Sequence, residues 1–382
     1  MEDYKYLAIV KWAKEYIASK HLQPNDRFLS EKELCEIHGV SRQTVRQALK
    51  CLESEDVICR MRGSGTFVKG GVGIGSATAA ARLQPRDLRI GVISTYFSDY
   101  IFPQIVTGIE SVLNDAGIVM QLSITHNQVY EEAQALKTMI ANGVQGLIVE
   151  PSKSALPNPN TELYQEIRNN RIPLVFFNAK YPWADFPYVA MDDEAAGKTV
   201  TDYLFDCGHK RISGIFALDD IQGHKRYGGF MKSCIEHDVR TAEKDVLWFS
   251  TAERSAIFLY AQYKLLEMLH QSTAVVCYND KLAINLLRFC RQHEINVPED
   301  ISIVGIDDSR YSSICEVPLT TVRHPHQVLG ETAARMLIEQ MERPKDHQAD
   351  TIFRPDLVVR DSVRILGTGT QGATIQDIRL RG

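Results

Sequence analysis

The chain has 382 residues, 44% of them hydrophobic and 24% charged, with a net charge of −5, which is typical of a globular protein with two or three domains. No stretch approaches the ~18 apolar residues of a membrane span, no apolar signal-peptide core is present, and the eight cysteines include no Cys-x-x-Cys pair. Membrane, secreted and collagen-like classes are therefore excluded, and we expect a cytoplasmic protein with no membrane partner and no metal site.

The first elements in the chain predict a helix-turn-helix unit. A helix of apolar spacing starts near Tyr6 and ends before Pro24. Ser30-Glu31-Lys32-Glu33 is a capping box that opens a second helix, and Gly39 supplies the tight turn after it. Ser41 then caps a third helix whose inner face carries Val45, Ala48, Leu49 and Leu52.

The outer face of the third helix carries the side chains that suit DNA. Arg42 and Arg46 are four residues apart and share this face, with Gln43 and Thr44 beside them. Arginine pairs bidentately with guanine, and glutamine with adenine, when such a helix enters the major groove. An ordinary solvated helix face is the alternative, and it is the better interpretation of this helix taken alone.

The next segment favours the DNA-binding interpretation. Residues 57–60 and 66–68 read as two short strands around Arg62-Gly63-Ser64-Gly65, a hairpin with a basic residue near its tip. Such a wing could reach an adjacent groove or the backbone, although a hairpin beside three helices can also be a scaffold only. Both elements together make DNA binding the favoured function of this domain.

These motifs resemble the winged helix of the GntR family of bacterial transcription regulators. The resemblance covers about residues 4–69 and rests on residues 30–34, 39–49 and 63–68, which occur in the family's order and spacing. It implies an α+β domain over residues 1–69. It also implies DNA contacts at the following positions: Lys5, Tyr6, Glu31, Arg42, Gln43, Arg46 and Arg62. To these we add Thr44 and Gly63 as expected contacts.

Residues 70–86 are rich in glycine and small side chains and predict a flexible linker. Its glycine spacing is not that of a dinucleotide-binding fingerprint, and no strand and helix flank it. At the other end, residues 368–382 predict a disordered tail, to which we assign no function.

The body of the chain predicts parallel α/β sheets. Apolar runs at 89–93, 119–124, 146–149 and 173–177 are separated by helical patterns. A second series follows at 211–216, 246–249, 274–277 and 301–306. This alternation predicts parallel sheets covered on both faces, and its length of about 280 residues predicts two lobes.

Polar residues follow most of these strands, at the edge where ligands bind in parallel sheets. They are Thr95-Tyr96, Glu150, Asn178, Asp219-Asp220, Asn279-Asp280 and Asp307-Asp308. Aromatic neighbours include Tyr96, Tyr100 and Phe102, and polar groups beside an apolar wall suit a polyhydroxylated ligand. Each polar residue alone could be a turn or cap residue, but their number favours a site.

This region resembles the LacI/GalR effector domain, which is related to periplasmic sugar-binding proteins. The resemblance rests on 197–209, 226–230, 277–280, 297–308 and 318–322. It implies a two-lobed domain over 87–367, with one lobe at 87–188 plus 323–350 and the other at 189–322 plus 351–367. It also implies a homodimer through this domain and effector contacts by Arg226, Asn279, Asp307 and His324, the last at a position where the family varies.

A GntR-type head on a LacI/GalR-type body is similar to the bacterial arabinose repressors, as are the stretches 147–155 and 219–226. This resemblance implies L-arabinose as effector, with Glu150, Lys153 and the aromatic cluster of Tyr96, Tyr100 and Phe102 shaping the pocket. We therefore expect a repressor that binds palindromic operator DNA and is released by the sugar. The same architecture with another sugar or a purine, and a sugar-binding protein or sugar-processing enzyme with an accessory head, stay open.

Enzyme motifs are weak in this chain. Residues 192–199 end like a P-loop but lack its first glycine, so the segment reads as a capped helix start. No Gly-x-Ser-x-Gly elbow and no His-Glu-x-x-His occur. The carboxylates Asp307 and Asp308 suit acceptance of sugar hydroxyls better than acid–base catalysis. We therefore expect no catalysis and no cofactor.

Overall fold

The computed structural model describes residues 3–20, 22, 26–54, 57–61, 65–68, 88–97, 101–241, 243–254, 256–343 and 349–366. Arg62, Gly63, Tyr100, the predicted linker 70–86 and the predicted tail 368–382 lie outside these residues, and so does the side chain of Lys5. The chain divides into two units, Met1–Arg82 and Leu83–Gly382. The predicted boundaries at 69 and 87 stay predictions.

The first unit packs helices against a small antiparallel sheet. Its described helices are α1 (Asp3–Ser19), α2 (Glu31–His38) and α3 (Arg42–Ser54). Its described strands are β1 (Arg27–Phe28), β2 (Ile58–Met61) and β3 (Gly65–Val68), in the order β1-β3-β2. The sequence predicted β2 and β3 but not β1, because a strand of two residues has no periodicity to recognise.

The predicted helix caps of the first unit are confirmed. The Ser30 hydroxyl accepts a hydrogen bond from the Glu33 amide at 3.4 Å, and the Ser30 amide donates to the Glu33 carboxylate at 2.7 Å. Gly39 ends α2 with φ of +62°, a backbone conformation that favours glycine. The inner face of α3 is buried against α1 and α2, with Val45 and Leu49 fully enclosed.

The second unit contains two parallel sheets, each defining a lobe. The first lobe has a six-stranded sheet of order β14-β8-β7-β6-β4-β5, and the second has a four-stranded sheet of order β10-β9-β11-β12. The strands are β4 (Arg89–Ser94), β5 (Val119–Ile124), β6 (Gly146–Val149), β7 (Leu174–Phe177), β8 (Tyr188–Met191), β9 (Ile212–Ala217), β10 (Val246–Phe249), β11 (Ala274–Cys277), β12 (Ser302–Val304), β13 (Thr321–Arg323), β14 (Thr351–Phe353) and β15 (Asp356–Val358). Strands β13 and β15 form a separate antiparallel pair.

Helices cover both sheets, as the alternating pattern predicted. Those described are α4 (Phe102–Asp115), α5 (Val129–Ala141), α6 (Thr161–Asn169), α7 (Asp193–Asp206), α8 (Ile221–Glu236), α9 (Ile257–Tyr260), α10 (Gln262–Gln271), α11 (Asp280–Gln292) and α12 (His326–Glu342). Each lobe has two buried hydrophobic clusters. Across the described residues, none of the helices combines the length and the apolar character needed to cross a membrane.

The division into lobes differs from the sequence-based one. Residues 351–367 were assigned to the second lobe, but β14 pairs in parallel with β8 in the sheet of the first lobe. Residues 189–191 belong to the same sheet as part of β8. Strand β14 escaped prediction because it has three residues at a half-exposed sheet edge, where little alternation is required.

Candidate ligand cleft and nucleic-acid interface

One cavity of the second unit lies between the lobes, where strands of both sheets end. Its empty space, including the part open to solvent, is about 620 Å³. Six predicted effector residues line it: Tyr96, Phe102, Glu150, Arg226, Asn279 and Asp307. The structure therefore brings these six side chains together. Tyr96, Glu150, Asn279 and Asp307 lie there as expected from their positions after strands, whereas Phe102 and Arg226 reach the cavity from helices α4 and α8.

Glu150 is the buried carboxylate of the first lobe. It follows β6, and its Oε2 accepts hydrogen bonds from the Thr95 amide at 2.8 Å and the Thr95 hydroxyl at 2.6 Å. Its Oε1 accepts from Asn178 Nδ2 at 2.7 Å. Burial raises the pKa of Glu150 from 4.5 to about 7, against the opposing effect of these hydrogen bonds. The ends of β4, β6 and β7 thus converge on one acceptor group.

Arg226 is the buried cation of the second lobe. Its Nε donates to Asp193 Oδ1 at 2.9 Å, its Nη1 to the Tyr278 carbonyl at 2.6 Å, and its Nη2 to Asp307 Oδ1 at 3.3 Å. Arg226, Asp193 and Asp307 are each at most 2% exposed. Burial alone lowers the pKa of Arg226, but Asp193 and Asp307 outweigh it and raise the pKa. The guanidinium is therefore held rigidly at the cavity wall.

Close helix packing explains how Arg226 meets Asp193. A Cβ on Gly197 of α7 would collide with the Arg226 carbonyl, and one on Gly229 of α8 would collide with the Glu194 carbonyl. Glycine at both places lets the two helices approach until their side chains meet. Sequence reasoning missed Asp193 because it treated residues 192–199 only as a capped helix start. That cap is present, since Asp192 accepts from the Ala195 amide at 3.0 Å.

Asn279 combines the two roles that the sequence left open. Its Oδ1 accepts from the Leu282 amide at 3.0 Å and so caps α11, and the residue also lines the cavity. Beside it, the Tyr278 ring lies 4.9 Å from the Arg226 guanidinium, and its hydroxyl donates to Asp220. A cap residue at a strand end can therefore still face a ligand.

Aromatic rings form the apolar wall of the first lobe. The Tyr96 and Phe102 rings lie 5.6 Å apart, centroid to centroid. Arg254 of the second lobe lies 5.8 Å above the Tyr96 ring and also lines the cavity. The cavity therefore combines this apolar wall with polar groups, a combination that suits the apolar face and hydroxyl edge of a sugar ring.

Two predicted effector residues do not line the cavity. Lys153 pairs instead with Asp219, with 2.9 Å between Nζ and Oδ2. His324 is 2% exposed and stacks on His326 at 4.9 Å between centroids. Burial first, and then His326 and Arg226, lower the pKa of His324 well below its ordinary value, so its ring is neutral. Its amide donates to the Asp307 carbonyl at 3.2 Å, which places it behind that residue.

The cavity also contains residues that the sequence did not single out for it. Asn127 and Thr251 come shortly after β5 and β10, so the strand-end rule, applied to all strands, would have found them. Gln222 lies in the first turn of α8 and Arg254 in an irregular segment, where no sequence signal marks a site. In the described part of the second unit and of the first, no cluster of three metal-ligating side chains occurs.

The predicted separation of faces on α3 is confirmed. Arg42, Gln43 and Arg46 are exposed, opposite the buried stripe. Arg46 Nε donates to both oxygens of Glu31, at 3.2 and 3.0 Å, which links α3 to the start of α2. Two residues predicted to contact DNA therefore contact each other at the surface.

Two further predicted DNA-contacting residues within the described part of the chain, Thr44 and Tyr6, are less exposed. Thr44 is half-buried, and its hydroxyl lies 2.9 Å from that of Ser41 at the helix start. Tyr6 is half-buried against the core of the first unit.

Comparison with known proteins matches both parts of the chain. The model of bacterial regulatory proteins of the gntR family matches residues 5–68, and that of the periplasmic binding protein-like domain matches residues 201–363. A protein named arabinose metabolism transcriptional repressor from Geobacillus stearothermophilus is 41% identical over 367 residues, covering 94% of this chain and 98% of that protein. This chain belongs to the family of arabinose metabolism transcriptional repressors. A second member, from Halalkalibacterium halodurans, is 37% identical over 92% of this chain and 95% of that protein.

Membership in this family confirms the predicted pairing of a GntR-type head with a LacI/GalR-type body. A crystal structure of the lac repressor dimer bound to operator and the anti-inducer ONPF shares the fold, with a TM-score of 0.63 and 22% identity over 72% of this chain and 94% of that chain. The relatives are named as transcriptional regulators and not as enzymes, in line with the interpretation of the enzyme-like motifs above.

Proposed function

We propose that this protein represses arabinose-utilisation genes in the cytoplasm by binding a palindromic operator, and that L-arabinose bound in the cleft releases it. The observation that supports this proposal most strongly is the cavity between the lobes, which is lined by buried donors and acceptors from both lobes and by aromatic rings of the first lobe. The name of the relatives then favours arabinose over other sugars.

The cavity has the groups that a pentose needs. Sugar hydroxyls donate to carboxylates and accept from guanidinium and amide groups. Glu150 and Asp307 supply acceptors from opposite lobes, and Arg226 and Asn279 supply the donors. Tyr96 and Phe102 pack against the apolar face of the ring, and His324 supports the backbone of Asp307 from behind. A ligand that touches both lobes favours one lobe arrangement, which is how binding reaches the DNA-binding unit.

For the DNA-binding unit, we propose that α3 enters the major groove. Arg42, Gln43, Thr44 and Arg46 then contact bases or phosphates, while Glu31 orients Arg46. The remaining predicted contacts, namely Lys5, Tyr6, Arg62 and Gly63, flank this helix in the sequence.

The proposal includes a homodimer through the second lobe. Large apolar side chains are exposed there, including Leu259 at 79% and Ile314 at 75%. They line two adjoining grooves that share Asn285 and Arg288 of α11. Contiguous exposed apolar surface marks protein interfaces, and a second copy would supply the symmetry that a palindrome requires. Leu259→Glu combined with Ile314→Glu is expected to give monomers in sedimentation and to weaken operator binding.

The deciding experiment is an operator titration at fixed salt, with and without saturating L-arabinose. We expect the sugar to weaken operator binding by about 1–3 kcal/mol, the usual size of coupling between sites. Tighter binding with the sugar, or no change, would overturn the inducible-repressor proposal.

Calorimetry with a panel of pentoses, hexoses and purines separates the remaining alternatives. The proposal is supported if L-arabinose is the one compound of the panel that binds. If another compound binds instead, the protein has the same architecture with a different effector. A protein that binds sugar but shifts no DNA from its own operon would be a sugar-binding protein or enzyme with an accessory head.

A further inference from the structure

Three hydrogen bonds between side chains join the two lobes at one end of the cavity. Asn127 Nδ2 donates to Thr251 Oγ1 at 2.7 Å, Lys153 Nζ to Asp219 Oδ2 at 2.9 Å, and Ser154 Oγ to Asp220 Oδ1 at 3.0 Å. The first residue of each pair follows a strand of the first lobe, and the second follows a strand of the second lobe. We call these three pairs the cross-lobe clasp.

Hydrogen bonds to the backbone hold the first-lobe side of the clasp in place. Lys153 has φ of +44°, a conformation that a residue with a side chain adopts only when its surroundings enforce it. Its amide donates to Asn127 Oδ1 at 2.7 Å, and the preceding Ser152 amide donates to Glu132 at 2.6 Å. Glu132 is fully buried. A lysine at a position where glycine would fit more easily indicates that its side chain is needed.

On the second-lobe side of the clasp, the acceptor is the carboxylate of Asp219, which other hydrogen bonds hold in position. Asp219 is fully buried and accepts hydrogen bonds from the Thr251 amide at 2.9 Å and the Thr251 hydroxyl at 2.8 Å. Burial raises the pKa of Asp219, but Lys153 and Thr251 outweigh it and lower the pKa. Asp219 is therefore charged at neutral pH, and removing Lys153 would leave that charge buried without this partner.

The clasp also forms part of the cavity wall. Asn127, Ser154, Asp220 and Thr251 all line the cavity, and they are bonded to one another in pairs across the lobes. Behind them lies the ion pair of Lys153 and Asp219. A ligand that extended in this direction would have to break these bonds.

We propose that the cross-lobe clasp, centred on Lys153 and Asp219, holds the lobes closed at this end and thereby restricts the cleft to a free monosaccharide, excluding longer glycosides. This inference rests on the proposed function and adds the size of the effector to it. Lys153 then acts as a specificity-determining residue that does not touch the ligand.

The test compares Lys153→Met with Lys180→Met. Lys180 pairs with Asp350 at 2.6 Å, and both partners belong to the first lobe, so this variant removes an ion pair that does not span the cleft. Lys153→Gly is a second variant, which removes the same charge and relieves the left-handed backbone, so it is expected to fold even if Lys153→Met does not.

Hydrogen exchange without ligand measures the clasp directly. The Ala155 amide donates to the Asp219 carbonyl at 3.4 Å, and the Ile221 amide donates to Ser154 Oγ at 3.0 Å, so both amides report lobe contact. We expect about tenfold faster exchange at these amides in both Lys153 variants, and unchanged exchange in Lys180→Met. Unchanged exchange in the Lys153 variants overturns the clasp, whatever the ligand is.

Calorimetry with L-arabinose and an arabinose disaccharide then tests size selection. We expect the parent to bind only the monosaccharide. The Lys153 variants are expected to bind the disaccharide as well, and to bind L-arabinose several-fold more weakly because the closed state is less populated. Continued exclusion of the disaccharide by variants with faster exchange overturns size selection. A parent that binds neither sugar overturns the proposed effector, while the exchange result still decides the clasp.

Discussion

The outer face of α3 and the cleft of the second unit both depend on arginine, but in opposite surroundings. Arg46 is 66% exposed and pairs with Glu31 at the surface, where such a pair contributes little and can be exchanged for a phosphate or a base. Arg226 is 2% exposed and donates to two buried carboxylates. It cannot leave them without a large cost. The recognition proposed for α3 is therefore separable from folding, whereas the recognition proposed for the cleft is not.

The largest expected effect is that of Arg226→Ala. It leaves Asp193 and Asp307 buried without their cation, and breaking a buried ion pair costs about 3–5 kcal/mol. We expect this loss in urea unfolding of the second unit, together with loss of pentose binding. As a control, Arg168→Ala removes a half-exposed pair with Asp185 and is expected to cost less than about 1 kcal/mol. An equally small loss for Arg226→Ala would show that the cleft is no more coupled to stability than the surface.

The second prediction concerns pH. Because burial raises the pKa of Glu150 from 4.5 to about 7, the folded protein binds more protons at this group than the unfolded chain between those two values. The contribution of Glu150 to folding stability is therefore full below pH 4.5 and is lost as the pH rises through about 7. Urea unfolding across this pH range compares the free energy of unfolding of the parent with that of Glu150→Gln. We expect the free energy of the variant to depend less on pH.

Buried carboxyls elsewhere in the second unit make the comparison with Glu150→Gln necessary. Burial and Asp307 raise the pKa of Asp280 to about 8, so Asp280 acts in the same direction as Glu150. The difference between parent and variant isolates Glu150. If the unfolding free energies of the parent and of Glu150→Gln changed with pH in parallel, folding would not raise the pKa of Glu150. This carboxylate would then behave like the solvated side chains of α3.

Much of this architecture could be predicted from sequence because it is local. The capping box at Ser30, the turn at Gly39 and the buried stripe of α3 each depend on neighbouring residues, and all three are present. The sheets followed from apolar runs, and so did the polar cleft residues that come directly after strands, such as Glu150, Asn279 and Asp307.

What could not be predicted depends on distant partners. The Lys153–Asp219 pair joins residues 66 positions apart, and the Arg226–Asp307 pair joins residues 81 apart. No pattern within one helix or strand records such pairings. For the same reason, β14 was assigned to the wrong lobe, since its only mark is the register of its pairing with β8.

The third prediction tests the separability of α3. Arg42→Ala and Arg46→Ala are each expected to weaken operator binding by about 1–3 kcal/mol and to leave the unfolding free energy nearly unchanged, because both side chains are exposed. Lys11→Ala, at an exposed position of α1, removes the same charge as a control and should change operator affinity less. Affinity within twofold of the parent in both arginine variants would remove α3 from the interface.

The smallest expected effect is at the start of α2. Ser30→Ala removes the hydroxyl that accepts from the Glu33 amide, and loss of such a cap typically costs about 1 kcal/mol. Ser30→Thr retains a hydroxyl that can accept from the Glu33 amide and donate to the Glu33 carboxylate, and it should recover most of this loss. Because α2 carries Glu31 toward Arg46, a frayed α2 should also loosen Arg46 and weaken operator binding slightly.

Trp12 provides the measurement for this variant. Its ring lies 4.5 Å from that of His38, at the end of α2, so its fluorescence reports whether α2 is folded. With Trp183 and Trp248 of the second unit replaced by phenylalanine, Trp12 becomes the one tryptophan of the chain. A shift of the unfolding midpoint in Ser30→Ala, with recovery in Ser30→Thr, would show that α2 depends on its own cap. An unshifted midpoint would mean that packing against α3 keeps α2 folded without the Ser30 cap. The surface of this unit would then depend on the packing of its core, as the cleft residues depend on buried ion pairs.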